Sequence, residues 1–298
     1  MTKPHHFLEV VDLSSEELSE VLALAEEPNL PPVLAGRGAA LLFEKASLRT
    51  RNSAEMAVVQ LGGHPVTLRG EEIGVDDREP VADVARVLSG YHAVIGARVY
   101  RHTTLEQMAA ASSVPVINLL SDLAHPCQAL ADVLTLRQRF GDNLKGCVVA
   151  FVGDYNNVAR SLALAMAMVG GEIRLACPPG YGPTPEQAEL LAMYGATPLV
   201  SHRPAEVAPG AHAIYTDVWT SMGQEAEAET RRKAFEGFTV DGRLMDLAGS
   251  EAVFLHCLPA HRGEEVSADV VDGERSLVFQ QAENRMHTMR GLLSWLLR

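Results

Sequence analysis

Ala39-Ala40-Leu41-Leu42-Phe43-Glu44-Lys45-Ala46-Ser47-Leu48-Arg49-Thr50-Arg51 runs from an apolar stretch through a polar turn into a helix. The helix is announced by Ala54, Ala57, Val58 and Leu61 at i, i+3, i+4 and i+7, and Gly62-Gly63 ends it. Strand, short turn and helix in that order form the first part of a βαβ unit. The turn also has chemistry of its own. A helix start carries open N–H groups and partial positive charge, and here Ser47, Thr50, Arg49 and Arg51 add hydroxyl and guanidinium donors suited to a phosphate. The same residues equally describe an N-cap serine followed by a solvated basic turn.

Working outward, short apolar runs predict further strands at Val66–Leu68, Ala93–Val99 and Val116–Leu120, with helices at Ser14–Ala25, Pro80–Leu88 and Thr104–Ala111 between them. Ser14 with Glu17 has the spacing of a capping box. A longer helical pattern, Cys127–Phe140, ends at Gly141-Asp142-Asn143, and the domain boundary is placed there. Cys147–Val152 then reads as the clearest buried strand, followed by a helix at Val158–Val169. Later strands are predicted at Ile173–Cys177, Pro198–Ser201, Ala213–Asp217, Val253–His256 and Leu277–Phe279, and helices at Pro185–Met193, Ala226–Phe235 and Arg285–Leu297. Strands alternating with helices of this length imply parallel sheets. The expected fold is α/β: two doubly wound parallel-sheet domains, residues 1–141 and 142–284, joined by an interdomain helix and a C-terminal helix, 285–298, that packs back on the first domain.

A chain of 298 residues is comfortable for two such domains, and its formal net charge of −13 is spread along its length. That argues against nucleic acid and against an anionic membrane surface as partners. An anionic ligand would need a local basic pocket. Cys127, Cys147, Cys177 and Cys257 are widely spaced and form no C-x-x-C pair, which suggests reduced thiols. No apolar run approaches a membrane span, and the first residues lack a leader's apolar core, so a cytoplasmic protein is expected.

Other motifs fall at the ends of predicted strands, where open α/β sheets place ligands. Val152-Gly153-Asp154-Tyr155-Asn156-Asn157 sits where a dinucleotide fold carries its glycines, but Tyr155 and Asn157 fill the positions a pyrophosphate needs empty. The turn suits a small polar ligand, or is an Asx turn capping the next helix. His125-Pro126-Cys127-Gln128 opens a helix with His125 and Gln128 three apart, placed to bind a carbonyl oxygen or to cap the helix. Asp217-Val218-Trp219-Thr220-Ser221-Met222-Gly223 offers an acid beside a serine, for an amino acid's charged ends or as a helix cap. His256 and His261, split by Pro259, fit no common metal spacing, and no metal is expected. Cys257, at a strand end near an acid, is placed to contact an amine.

Taken together these motifs resemble the aspartate/ornithine carbamoyltransferase family over essentially the whole chain. Phe43 to Thr50 fit the family form F-x-[E/K]-x-S-[G/T]-R-T except at Leu48, and His125–Gln128 is its H-P-C-Q. Asp217–Gly223 matches the D-x-x-x-S-M-G of the ornithine branch, His256–Pro259 its H-C-L-P, and Glu283-Asn284-Arg285 its E-N-R. The resemblance implies transfer of the carbamoyl group of carbamoyl phosphate to the δ-amine of L-ornithine, giving citrulline and phosphate, as in arginine biosynthesis or a urea-cycle-type step. It implies no cofactor and a homotrimer or multiple of trimers.

By position, Ser47, Leu48 (through its backbone), Arg49, Thr50 and Arg98 would hold the phosphate, and His125, Pro126, Cys127 and Gln128 the carbamoyl group. Cys257 and Leu258 would line the reaction centre, Arg285 would reach the carbonyl oxygen, and Asn157, Asp217, Ser221 and Met222 would bind ornithine. Arg49, His125, Asp217, Cys257 and Arg285 would form the catalytic set. Two residues depart from the family pattern: Leu48, in place of a small or hydroxylated residue, and Gly74, where the family usually offers a glutamine to a neighbouring subunit. Leu48 keeps N-acetylornithine or another amine open as the acceptor, and both departures are compatible with a non-catalytic sensor on the same fold.

Overall fold

The computed structural model describes residues 4–74, 78–220 and 225–298. The chain forms two compact units, Met1–Leu134 with Glu283–Arg298, and Thr135–Ala282. It passes from the first to the second within the helix Pro126–Phe140 and returns within the helix Val278–Leu296.

In the first unit, β1 (Gly38–Phe43), β2 (His64–Arg69), β3 (His92–Arg98) and β4 (Val116–Leu120) form an all-parallel sheet in the order β2-β1-β3-β4. β1 and β3 are central and buried almost throughout, whereas β2 lies at the edge and is half-buried. That is why β1 and β3 read as continuous apolar runs, not alternating ones. Ala40, Leu42, Ile95 and Ala97 pack with Val84, Leu88, Leu105 and Met108 of the helices Val81–Tyr91 and His102–Ala111. The β3–β4 register shifts between Ala97 and Arg98, a bulge at the position that aims Arg98.

The second unit carries β5 (Val148–Val152), β6 (Glu172–Ala176), β7 (Leu199–Ser201), β8 (Ala213–Thr216) and β9 (Val253–Leu255), all parallel in the order β7-β6-β5-β8-β9. β5 is buried at every residue, and Phe151 of β5 stacks on Tyr215 of β8. In each sheet the connections run one way from one central strand and the other way from its neighbour. These switch points lie between β1 and β3 and between β5 and β8, and open α/β sheets form their ligand crevices there, at the carboxyl ends of the strands.

The first helix, Ser15–Glu26, begins with the expected Ser14–Glu17 capping box. One predicted strand is overturned. At Leu277–Phe279 a single parallel bridge joins Ser276 to Phe254, and the chain then enters the helix Val278–Leu296. Three apolar residues cannot choose between strand and helix, and the helix formers Gln280, Gln281, Ala282 and Glu283 follow at once. Four helices too short for a sequence period, Gly70–Ile73, Pro204–Val207, Gly242–Ala248 and Ala268–Val271, were not anticipated. Gly74 ends the first of them with left-handed backbone (φ 62°), a conformation that strains a glutamine. Among the described residues no helix is long and apolar enough to cross a membrane.

Candidate active site

The turn after β1 delivers Ser47 as the N-cap of the helix Leu48–Gln60, and its hydroxyl accepts from the Thr50 N–H at 3.3 Å. The earlier N–H groups of that helix have no partner inside it, so this end is built for an anion. Leu48, the first helical residue, is 76% exposed, so its side chain does not fill the turn.

Thr50 is buried, and two guanidiniums converge on it. Arg98, the last residue of β3, donates to the Thr50 hydroxyl at 3.4 Å, and Arg285 donates to it at 3.3 Å. A second nitrogen of Arg285 donates to Gln128 Oε1 at 2.6 Å, and Gln128 Nε2 donates to Asp132 Oδ1 at 2.8 Å. His125 precedes the helix that carries Gln128 and is itself buried. Burial, reinforced by the charges of Arg285, Arg98 and Arg49, pushes its pKa well below the ordinary histidine value. The ring is therefore neutral, with one N–H to donate and no charge to add to three arginines. Pro126 takes the first helical position, and the Cys127 thiol donates to the Asn118 carbonyl at 3.2 Å. Burial raises the pKa of that thiol to about 12, which keeps it protonated.

In the second unit the centre is Asp217, which follows β8 and is largely buried. Its carboxylate accepts from Asn156 Nδ2 at 2.8 Å, from the Val218 N–H at 2.9 Å and from the Cys257 thiol at 3.1 Å. Asn156 also caps the helix Asn157–Met168, its Oδ1 accepting from Val158 and Ala159 at 2.9 and 3.1 Å. Asn157 is the first residue of that helix, beside the Asn156–Asp217 contact. Ser221 and Met222 lie outside the described residues.

Two buried charge groups brace these loops. Arg231 pairs with Asp154 of the turn after β5 and donates to the Trp219 carbonyl at 2.5 Å, with the Tyr181 and Phe235 rings beneath it. Burial raises the Asp154 pKa, and Arg231 offsets part of that rise. Beyond β9, fully buried Glu265 accepts from His256 Nε2 at 3.2 Å and from the His261 N–H at 2.5 Å. His256 Nδ1 in turn accepts from the Leu258 N–H at 2.8 Å, holding Leu258 in left-handed backbone (φ 59°) next to Cys257.

One crevice is thus cationic and rich in donors, and the other presents a carboxylate. Residues 5–138 match the carbamoyl-P binding domain of aspartate/ornithine carbamoyltransferase, and residues 145–296 match its Asp/Orn binding domain. The chain belongs to the aspartate/ornithine carbamoyltransferase family. The ornithine carbamoyltransferase of Thermus thermophilus is 49% identical over all of this chain and 98% of the relative. The crystal structure of ornithine carbamoyltransferase from the same organism superposes with a TM-score of 0.90 at 47% identity, over 100% of both chains. The Pyrococcus furiosus ornithine carbamoyltransferase structure does so with a TM-score of 0.92 at 42% identity, over 97% of this chain and 96% of that one.

Three residues at these sites, Asn156, Asp132 and Glu265, were not among the site residues expected from the sequence. Asn156 was legible as a cap, being an Asn just before an apolar helical period. Asp132 was legible as the i+4 neighbour of Gln128 on a helix. Glu265 was not, because its partner His256 is nine residues away across a loop.

Proposed function

We propose that the protein is an ornithine carbamoyltransferase, transferring the carbamoyl group of carbamoyl phosphate to the δ-amine of L-ornithine and releasing citrulline and phosphate. The observation that carries this reading is the convergence of Arg98 and Arg285 on Thr50 beside neutral His125, at the open start of the helix Leu48–Gln60. A doubly charged phosphate fits the turn at Ser47, Leu48, Arg49 and Thr50 with Arg98, and the carbamoyl oxygen fits the donors of Thr50, His125 and Arg285.

The δ-amine, with a free pKa of about 10.4, loses a proton before its lone pair attacks the carbamoyl carbon. Negative charge then builds on the carbonyl oxygen, where preorganised donors stabilise it, and the C–O bond to phosphate breaks with the leaving group still held by Arg49 and taking up the proton that the attacking nitrogen sheds. Asp217 is assigned to ornithine's α-ammonium, with Asn157, Ser221 and Met222 toward the carboxylate. Cys257 and Leu258 are assigned to the reaction centre. An acetylated α-nitrogen would leave the Asp217 carboxylate without a cation, which argues against N-acetylornithine.

The assembly proposed is a homotrimer or a multiple of it. Leu48, Met56 and Val59 are exposed within one sector of the helix Leu48–Gln60, with exposed Asn52 among them, and this partly apolar surface beside the phosphate turn suits a second copy of the chain. A cytoplasmic location agrees with four cysteines in no disulfide.

The test is product formation from carbamoyl phosphate with L-ornithine and N-acetyl-L-ornithine offered separately, alongside light scattering for mass. Citrulline from free ornithine alone, and a mass of three 32.1 kDa chains or a multiple, are expected. Acetylcitrulline alone would move the acceptor to the acetylated amine. Tight carbamoyl phosphate binding without turnover would make the protein a sensor.

A further inference from the structure

We propose that Asp132 is a positioning residue that sets the direction of the Gln128 carboxamide and thereby makes the site select a carbamoyl group over an acetyl group. The inference rests on the carbamoyl phosphate reading above.

Gln128 is buried between two partners that each work in one direction only. The Arg285 guanidinium donates and cannot accept, and it meets Oε1 at 2.6 Å. The Asp132 carboxylate meets Nε2 at 2.8 Å, where the amide donates. Turning the amide over would set N–H against guanidinium and oxygen against carboxylate. The chemistry of the neighbours therefore decides the orientation, and Asp132 supplies the half that Arg285 does not. Asp132 has no exposed surface, so in the folded chain Nε2 meets this carboxylate rather than bulk solvent.

The consequence concerns the ligand's –NH2. Thr50, Arg98, Arg285 and neutral His125 offer donors in plenty for the carbamoyl C=O, but the carbamoyl –NH2 needs an acceptor. Gln128 Oε1 has two lone pairs, and Arg285 uses one. The second is left for the –NH2. An acetyl group has the same shape with a methyl in that place, and it would leave the acceptor without a hydrogen. Sites built to hydrogen-bond a substrate N–H reject the analogue that lacks it.

The test compares three probes by calorimetry: inorganic phosphate, phosphonoacetamide, and acetonylphosphonate, which carries CH3 where phosphonoacetamide carries NH2. The wild-type protein is expected to prefer the amide by at least about tenfold. Asp132→Ala, or Asp132→Leu to fill the volume, is expected to bring that preference below about threefold while phosphate affinity stays within about twofold. Asp132→Asn, whose carbonyl accepts from Nε2, is expected to restore it. Equal wild-type affinity for the two analogues would overturn the proposal without reliance on any variant's folding. So would an unchanged preference in Asp132→Ala, failure of Asp132→Asn to restore it, or a parallel loss for all three probes, which marks a structural role. If the wild-type protein bound none of the probes, the carbamoyl phosphate reading itself would fail.

Discussion

The crevices at the two switch points share a geometry and differ in sign. Each has a strand, a polar turn and a helix start, followed by a residue from the next strand across the switch. After β1 the cap is Ser47, which takes the Thr50 N–H and leaves the first N–H groups of the helix to a ligand. After β5 the cap is Asn156, which takes two N–H groups for itself and turns its amide toward Asp217. The next strand contributes a guanidinium, Arg98, in the first unit and a carboxylate, Asp217, in the second. One topology therefore makes an anion site or a cation site, and the cap and strand-end residues, with the further arginines of the first crevice, make the choice.

The strongest way to break this comparison is to remove charge from each crevice in turn. Arg49→Ala takes away a phosphate contact and part of the oxyanion field, and kcat/KM is expected to fall by about 10³ or more. Near-normal turnover in a citrulline assay would place the phosphate elsewhere. Asp217→Ala is expected to raise the KM for ornithine by about 10² while carbamoyl phosphate binding changes little. Equal loss for both substrates would point to misfolding of the second unit.

The caps sharpen the contrast through stability. Asn156→Ala removes two cap bonds and one bond to Asp217, and is expected to cost about 2 kcal/mol, against about 1 kcal/mol for Ser47→Ala. Denaturant unfolding monitored for both variants checks the order, and a reversed order would mean that the helix start in the first unit is the more tightly capped. The charge field of the first crevice should also appear in pH dependence. His125 is held neutral when folded, with its pKa pushed below the ordinary 6.5, so the unfolded chain binds a proton there that the folded chain does not. That stability is fully present above pH 6.5 and is lost as pH falls, by up to about 1.4 kcal/mol per pH unit. Thermal unfolding at pH 7.5 and 5.5 should show a smaller drop in His125→Asn than in the wild type. The smallest effect is expected at Leu48. Its side chain does not fill the phosphate turn, so Leu48→Thr should change carbamoyl phosphate affinity by less than about twofold in a titration of the assembled protein.

The local run of the chain was largely open to reading. Apolar strands such as Val116–Leu120, the Ser14–Glu17 capping box and the helix Pro185–Met193 follow from period and caps, which are properties of neighbours in sequence. Leu277–Phe279 misled because three apolar residues carry no period, and the short helices escaped for the same reason. The motifs named the chemistry of each turn, and their resemblance to a family named its members. What they left open was which of two readings each turn would adopt, ligand site or plain helix cap.

Sequence alone determined the alternation of elements, the parallel sheets and the residue types waiting at their carboxyl ends, because burial and capping act over a few residues. Only tertiary structure decided that Arg285 and Thr50, 235 residues apart, share one hydrogen bond. It also decided that His125 is neutral, that Asn156 turns toward Asp217, and that Gln128 lies between Arg285 and Asp132. Charge state and amide direction are set by what surrounds a group in a medium that screens poorly, and those surroundings come from distant parts of the chain.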